Sequence, residues 1–390
     1  MFRHSRSLIA ASAAALLLAA NPLAAFDTDA TAAFVLDEKT GTVLLAKNAD
    51  MALPPASMSK LMTLYIAFEA VRDGRLKLDE RLPVSAHANS FGGSTLFLRE
   101  GERVSVEDLI RGVIVLSGND ACVVLAEALS PDGSERGFAR MMTQRAQQLG
   151  MTNSTFKNSS GWPADGHRMS MRDLTLLAQR IIEDFPEFYP MFAEKEFLFD
   201  EQESQNRFNR NPLLGLGIGA DGLKTGHTQE AGYGLVGSAK QGDRRVIFTI
   251  TGLGTAAARA QESESIVNWA FRQFAERTVT KAGAVIAEAD VWMGAQDTVG
   301  LAAKDDVTLL LPNTPGSSVK AEVVYTGPIE APIVQGRQLA ELIISPEGLP
   351  EHRIPLFAAT EVPASGFVAR MMNVSQVLLG RMQTSPEDTM

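Results

Sequence analysis

Ser57 and Lys60 stand three residues apart in "LPPASMSKLMTLYIAFEA", residues 53 to 70, where an apolar run with helical character begins. A serine hydroxyl is a poor nucleophile at neutral pH and needs a nearby base. Positions i and i+3 of a helix share a face, so both side chains can enter one cleft. A lysine that is partly buried, or crowded by another cation, holds its proton less firmly and can then accept the serine proton. Standing alone, S-x-x-K also fits a helix-capping serine followed by a solvated lysine.

Two more stretches bear on that choice. In "VLSGND", Ser117 and Asn119 fall at a junction between helices. Ser117 can hydrogen-bond Lys60 or relay a proton, and Asn119 offers an amide to a substrate carbonyl; the bland alternative is a glycine cap with Asn and Asp opening the next helix. In "GADGLKTGHT", Lys224, Thr225 and Gly226 fall on a strand. Lys224 and Thr225 can bind a carboxylate by charge and hydroxyl, Gly226 permits a ligand to approach the backbone, and an edge strand can align an extended substrate; an exposed strand lysine would fit as well. In this order the three resemble the signature of penicillin-binding proteins and class A β-lactamases, S-x-x-K with an S-D-N-type element and K-T-G, here with glycine in the middle of the second.

The elements that must position them are legible in outline. "AFVLDEKTGTVLLA", residues 33 to 46, predicts a hairpin turning at Lys39, Thr40 and Gly41. Helices are predicted over Leu61–Val71, Val106–Leu116, Ala121–Leu129 and Ser170–Glu183, and the Asn-, Ser-, Gly- and Pro-rich stretch 151–166 reads as a surface loop. Short strands return between Gly222 and Gly252, and an amphipathic helix from about Ala257 to Phe274 closes the unit. Strand, helices, strand implies an α-rich lobe inserted into a sheet whose first and last elements are neighbours, with a cleft between lobe and sheet. After Lys281 six short runs, Ala284–Trp292, Thr298–Ala302, Val307–Leu311, Val319–Tyr325, Gln338–Ile344 and Arg353–Ala358, predict a small all-β sandwich or barrel. From Ser365 to Met382 apolar residues recur at helical spacing, as in a helix lying on a membrane or docked on its own domain.

Composition narrows the function. The first 25 residues have the layout of a secretory signal peptide: Arg3 and Arg6, an apolar run from Leu8 to Ala20, then small residues. Without them 34 basic residues face 46 acidic ones, a formal charge of −12, so nucleic acid is excluded as a partner. Cys122 is the sole cysteine, ruling out an intrachain disulfide, and its apolar neighbours mark it as a buried hydrophobe. His87, His167, His227 and His352 are scattered without H-x-x-x-H spacing, so no zinc peptidase is implied and no cofactor is expected.

The chain resembles the low-molecular-mass penicillin-binding proteins, serine-type D-Ala-D-Ala carboxypeptidases, over nearly its whole length. "PASMSKLMT", "VLSGNDACVVLAE", "NSSG" and "DGLKTGHT" carry the resemblance. It implies an α/β (α+β) penicillin-binding, serine β-lactamase-like domain over 26–278 with an inserted α-rich lobe. A small β-rich domain over 283–362 and an amphipathic helix over 363–383 follow, after a signal peptide over 1–25. By resemblance Ser57 is the acyl-ester nucleophile, Lys60 its proton acceptor, Ser117 the relay serine, Asn119 the substrate-orienting amide and Lys224 the substrate-binding lysine. Thr225 and Gly226 belong to the same strand motif, the backbone N–H groups of Ser57 and His227 to an oxyanion hole, and Arg210 in "NRNPLL" to the substrate carboxylate. The implied partners are peptidoglycan stem peptides ending in D-Ala-D-Ala, β-lactams as covalent inhibitors, and a membrane surface for the C-terminal helix, in a protein exported to the periplasmic face of the cytoplasmic membrane. An endopeptidase acting on crosslinks, a serine β-lactamase and a non-catalytic wall-binding protein remain as alternatives; against the β-lactamase, no E-x-x-L-N segment lies between Ser117 and Lys224.

Overall fold

The computed structural model describes residues 26–199, 205–313, 319–346, 349 and 351–366. The expected leader lies outside these residues, as does the expected helix beyond Gly366. Residues 363–366 run extended: Ala295 N donates to Pro363 O and Ser365 N to Met293 O, so these backbone groups are spent on neighbouring chain and not on a helix.

β1 (Ala32–Asp37) and β2 (Thr42–Lys47) form the predicted hairpin, with Asp37 accepting from Thr40 N and Oγ1 inside the turn. A 3-10 turn, Ala56–Ser59, leads into α1 (Lys60–Arg72). Leu61, Met62, Leu64, Tyr65, Ile66 and Phe68 leave α1 no face for solvent, and it sits at the centre of the largest core. β3 (Arg81–Pro83), α2 (Ala86–Asn89) and β4 (Arg103–Ser105) precede α3 (Val106–Arg111). The helix predicted through Leu116 ends early, because a π-helical turn, Gly112–Leu116, replaces its last turn and stops at Ser117 with φ 64°. α4 (Asn119–Leu129), α5 (Glu135–Gln148) and α6 (Met171–Asp184) complete the lobe.

β5 (Ala220–Thr228), β6 (Gly232–Gln241) and β7 (Arg244–Leu253) return to the sheet, whose order β2-β1-β7-β6-β5 makes the first and last segments neighbours and leaves β5 at the edge. Successive residues of a strand point to opposite faces. Phe34 and Leu36 of β1 therefore enter the core of the helical lobe, while Ala33 and Val35 enter a second core roofed by α7 (Ala256–Gln273).

The stretch 151–166 lies on the surface only in part: Thr152, Thr155, Lys157 and Trp162 are exposed, but a polar half turns inward. Ser154, Asn158, Ser159 and Ser160 are buried, which is tolerable because their polar groups find partners inside the protein.

The remaining strands are β8 (Phe274–Thr280), β9 (Val285–Trp292), β10 (Thr298–Ala302), β11 (Val307–Pro312), β12 (Val319–Tyr325), β13 (Ile329–Glu330), β14 (Gln338–Pro346) and β15 (His352–Ala358). Six form a sheet in the order β12-β14-β15-β10-β9-β13, and β8 pairs with β11. Along β11 the faces alternate between regions: Leu310 packs in the α7 core, while Leu309 and Leu311 pack in the core of the β-rich region.

Candidate active site

The turn Ala56–Ser59 presents Ser57 one step before α1 begins, and Ala56 adopts φ 48°, a left-handed conformation rare for a residue with a side chain. Gly161 makes the turn possible, since at φ 77° it lies against Ala56 O and a Cβ there would collide with that carbonyl. Gly226 of β5 closes the other side: a Cβ would sit 3.0 Å from Pro55 O and 2.9 Å from Met58 Cγ. The close approach that Gly226 permits is thus first of all between the strand and the serine turn.

Lys60 is fully buried, with its Nζ 2.9 Å from Ser57 Oγ. It donates to Asn119 Oδ1 at 2.7 Å and to Ser160 O at 2.6 Å. Both of these oxygens are acceptors only. A neutral amine has two N–H bonds and one lone pair; with the bonds directed at Asn119 and Ser160, the lone pair is left for the Ser57 hydroxyl. Burial lowers the Lys60 pKa from 10.5 to about 8, with Arg210 pushing the same way and Asp120 and Glu135 opposing. The amine is therefore part neutral near physiological pH.

Asn119 also donates Nδ2–H to Gly92 O at 2.8 Å, and its own N–H to Ser94 O. One of its two amide protons remains for a substrate carbonyl. Ser117 is nearly buried at the positive-φ position before α4. Its hydroxyl makes no hydrogen bond to Lys60; Asn119 holds that place.

Lys224 is buried on β5 and forms no hydrogen bond or ion pair with any described residue. Burial lowers its pKa far below 10.5, and repulsion from Lys60, Arg210 and Arg259 adds to the effect. Arg210 is anchored across the cleft, donating to Ser94 Oγ at 2.6 Å and to Leu116 O at 3.3 Å. Arg259 of α7, which no sequence motif indicates, donates to Arg210 O and lies 5.8 Å above the Tyr233 ring. Arg210 and Arg259, bonded among the described residues only to neutral oxygens, together with an amine that readily regains its proton beside a negative charge, form a receptor for an anion, most simply a carboxylate. Thr225 is buried beside Lys224, whereas His227 is exposed at the end of the strand with its ring stacked 3.8 Å from that of Tyr233. Beyond His227 opens a groove of about 440 Å³, bordered by Leu53, Pro54, Glu230 and Leu253.

"NSSG", residues 158–161, carries part of the resemblance without a chemical role assigned from sequence, and the structure places it in the wall of this site. Asn158 Oδ1 accepts from Ser160 N and Gly161 N, turning Ser160 O onto Lys60, and Thr63 Oγ1 donates to Ser159 O at 2.6 Å. Cys122, on the lobe side of Lys60, is buried with its thiol pushed up to about 12 by desolvation, which fits the hydrophobe expected from its neighbours.

Comparison with known proteins gives the same picture. Residues 18–255 match the family model described as D-alanyl-D-alanine carboxypeptidase, and residues 274–364 match the C-terminal domain of penicillin-binding protein 5. D-alanyl-D-alanine carboxypeptidase DacC of Escherichia coli is 37% identical over 94% of both chains. The crystal structure of D-alanyl-D-alanine carboxypeptidase DacD from Francisella tularensis superposes with a TM-score of 0.77 at 29% identity, covering 88% of this chain and 95% of that one. Penicillin-binding protein D2 of Listeria monocytogenes, solved in its ampicillin-bound form, matches with a TM-score of 0.56 at 34% identity, over 63% of this chain and 98% of that one. The fold is thus that of penicillin-binding protein 5, an α/β penicillin-binding domain followed by an all-β domain. Within that class, the chain belongs to the D-alanyl-D-alanine carboxypeptidase family.

Proposed function

We propose that the chain is a serine-type D-Ala-D-Ala carboxypeptidase that removes the terminal D-Ala from peptidoglycan stem peptides. The observation that carries the reading is the buried Lys60 amine, 2.9 Å from Ser57 Oγ and with a pKa lowered to about 8. Ser57 Oγ attacks the carbonyl carbon between the two D-alanines while its proton passes to Lys60 Nζ. The backbone N–H groups of Ser57 and His227 stabilise the oxyanion. As the C–N bond breaks, the D-Ala amine takes a proton from Lys60; Ser117, which makes no hydrogen bond to Lys60 in the free enzyme, serves as relay once the bound substrate bridges the two. Water then hydrolyses the Ser57 ester, with Lys60 again accepting a proton.

Lys224, Thr225 and Arg210 hold the terminal carboxylate, and Asn119 orients the amide preceding the scissile bond. The ring of a β-lactam presents a carbonyl and a carboxylate in the same relation, so it acylates Ser57. An exported protein held to the outer face of the cytoplasmic membrane by its C-terminal segment completes the proposal, supported by the leader-like residues 1–25 and the helical spacing of 365–382.

Mass spectrometry after exposure to benzylpenicillin, combined with D-Ala release from a peptide ending in D-Ala-D-Ala, tests the reading. Wild type should gain one penicilloyl adduct and release D-Ala, and Ser57→Ala should do neither. Adduct formation on Ser57→Ala, or penicillin turnover within seconds by wild type, would overturn it.

A further inference from the structure

Glu135 lies outside the three motifs, yet its carboxylate is directed at the wall of the site. It opens α5 behind the capping residue Ser134, and its side chain is 11% exposed. Oε1 accepts from Ser159 Oγ at 2.6 Å and from Ser159 N at 3.0 Å. Ser159 O in turn accepts from Thr63 Oγ1, one turn beyond Lys60 on α1, and the next residue offers Ser160 O to Lys60 Nζ at 2.6 Å. Ser159 is thus bound at its amide, its hydroxyl and its carbonyl, which leaves the following carbonyl little freedom to turn. The second carboxylate oxygen, Oε2, lies 3.2 Å from His87 Nε2 on α2.

We infer that Glu135 is a positioning residue for the proton acceptor: by gripping Ser159 it fixes the Ser160 carbonyl that orients the Lys60 amine toward Ser57. This rests on the proposed acylation of Ser57. The carboxylate acts in two separable ways. As an acceptor it sets geometry, a role that a glutamine in the same place partly keeps. As a charge it favours the protonated form of Lys60 from a distance. The charged and titratable groups that share this surrounding are His87 from α2, Asp120 and the protonated Cys122 from α4, His167 from the segment after residue 161, Lys224 from β5 and Arg210 from across the cleft.

Stopped-flow acylation by benzylpenicillin as a function of pH, on the full chain, separates these contributions from a merely structural role. Glu135→Ala and Ser159→Ala should each lower the limiting acylation rate between about tenfold and a hundredfold, with the prior penicillin binding constant unchanged, since misplacement of a reacting group costs rate and not affinity. Glu135→Gln should retain most of the plateau rate but move the acidic limb to lower pH, because a neutral neighbour no longer favours protonated Lys60. Thermal unfolding of each variant reports the folded fraction by which rates are normalised. The inference fails if normalised Glu135→Ala acylates at the wild-type rate, or if Glu135→Gln leaves the limb in place. Absence of acylation in wild type would instead remove the proposed function itself, a distinct result.

Discussion

Residues 26–273 and 274–366 both build apolar cores, but they treat charge in opposite ways. In the first region Asp37, Lys60, Asp120, Asp173, Lys224 and Arg259 are buried; in the second, among the described residues, no charged side chain is. The core of the second, with Leu301, Leu342, Ile344 and Leu356 at its centre, has nothing to do but pack. Burying an ion is unfavourable by several kcal/mol unless partners compensate it. Asp37 and Asp173 are compensated, by Arg244 and by Ser154 with the Asn153 N–H, whereas Lys224 in the cleft has no such partner among the described residues. A buried amine left uncompensated there, and no buried charge among the described residues of the other region, marks the cleft as the place of chemistry.

The largest test of this contrast is Lys60→Met. Ser57 acylation should fall by about 10² to 10⁴, the usual contribution of a proton-transfer group. The melting temperature should also fall, since Asn119 Oδ1 and Ser160 O are orphaned; a stable variant acylated at the normal rate would break the comparison. In the other region Leu342→Ala should cost about 2–5 kcal/mol of stability, read by urea unfolding, with acylation per folded molecule untouched.

The pH dependence sharpens the same contrast. Unfolded lysine titrates at 10.5 and buried Lys60 at about 8, so below pH 8 both states carry the proton and the folded protein bears the full penalty. Between 8 and 10.5 only the unfolded chain is protonated, and stability rises with pH. Wild type should therefore gain about 3 kcal/mol over Lys60→Met across that window, while its acylation rate climbs along a limb centred near pH 8. A flat difference in unfolding free energy would contradict the assignment.

Lys224→Met should move the two observables in opposite directions. Stability should rise, because an uncompensated amine is replaced by an apolar chain of like length. Acylation by carboxylate-bearing penicillin should drop about tenfold to a hundredfold, the worth of a hydrogen bond to a charged group. The smallest effect belongs to Arg353→Gln in the second region, whose exposed pairs with Glu341 and Glu351 are worth at most about 1 kcal/mol. A larger loss there would show that charge also matters to the β-rich region.

What the sequence discloses of this arrangement depends on how local the signal is. The hairpin at Lys39–Gly41, the apolar run of α1 and the strands around Lys224 declare themselves through periodicity and turn residues. The six β-rich runs after Lys281 do so as well. α5 does not, because its Glu135–Gln148 stretch is largely polar and its buried side is short, made of Gly137, Phe138, Ala139, Met142 and Ala146. β8 hides at the end of an amphipathic helix and is fixed only by pairing with β11. The polar stretch 151–166 looks solvated because burial of serines and asparagines depends on partners far away, Glu135, Thr63 and Asp173 among them. Likewise Arg259 lies 35 residues past Lys224 on another element, and only the packing of α7 beneath β6 brings it toward Arg210.

The single buried thiol has a practical consequence. Cys122 lies beneath Lys60 in a dry core and keeps its proton until about pH 12, so alkylating reagents at neutral pH have no thiolate to attack. A cysteine introduced on the surface of either region becomes the only reactive handle on the chain. Fluorophores or spin labels can then be attached without first deleting the native residue, and a pair of them, one per region, would serve as a ruler for the movement of one against the other in solution.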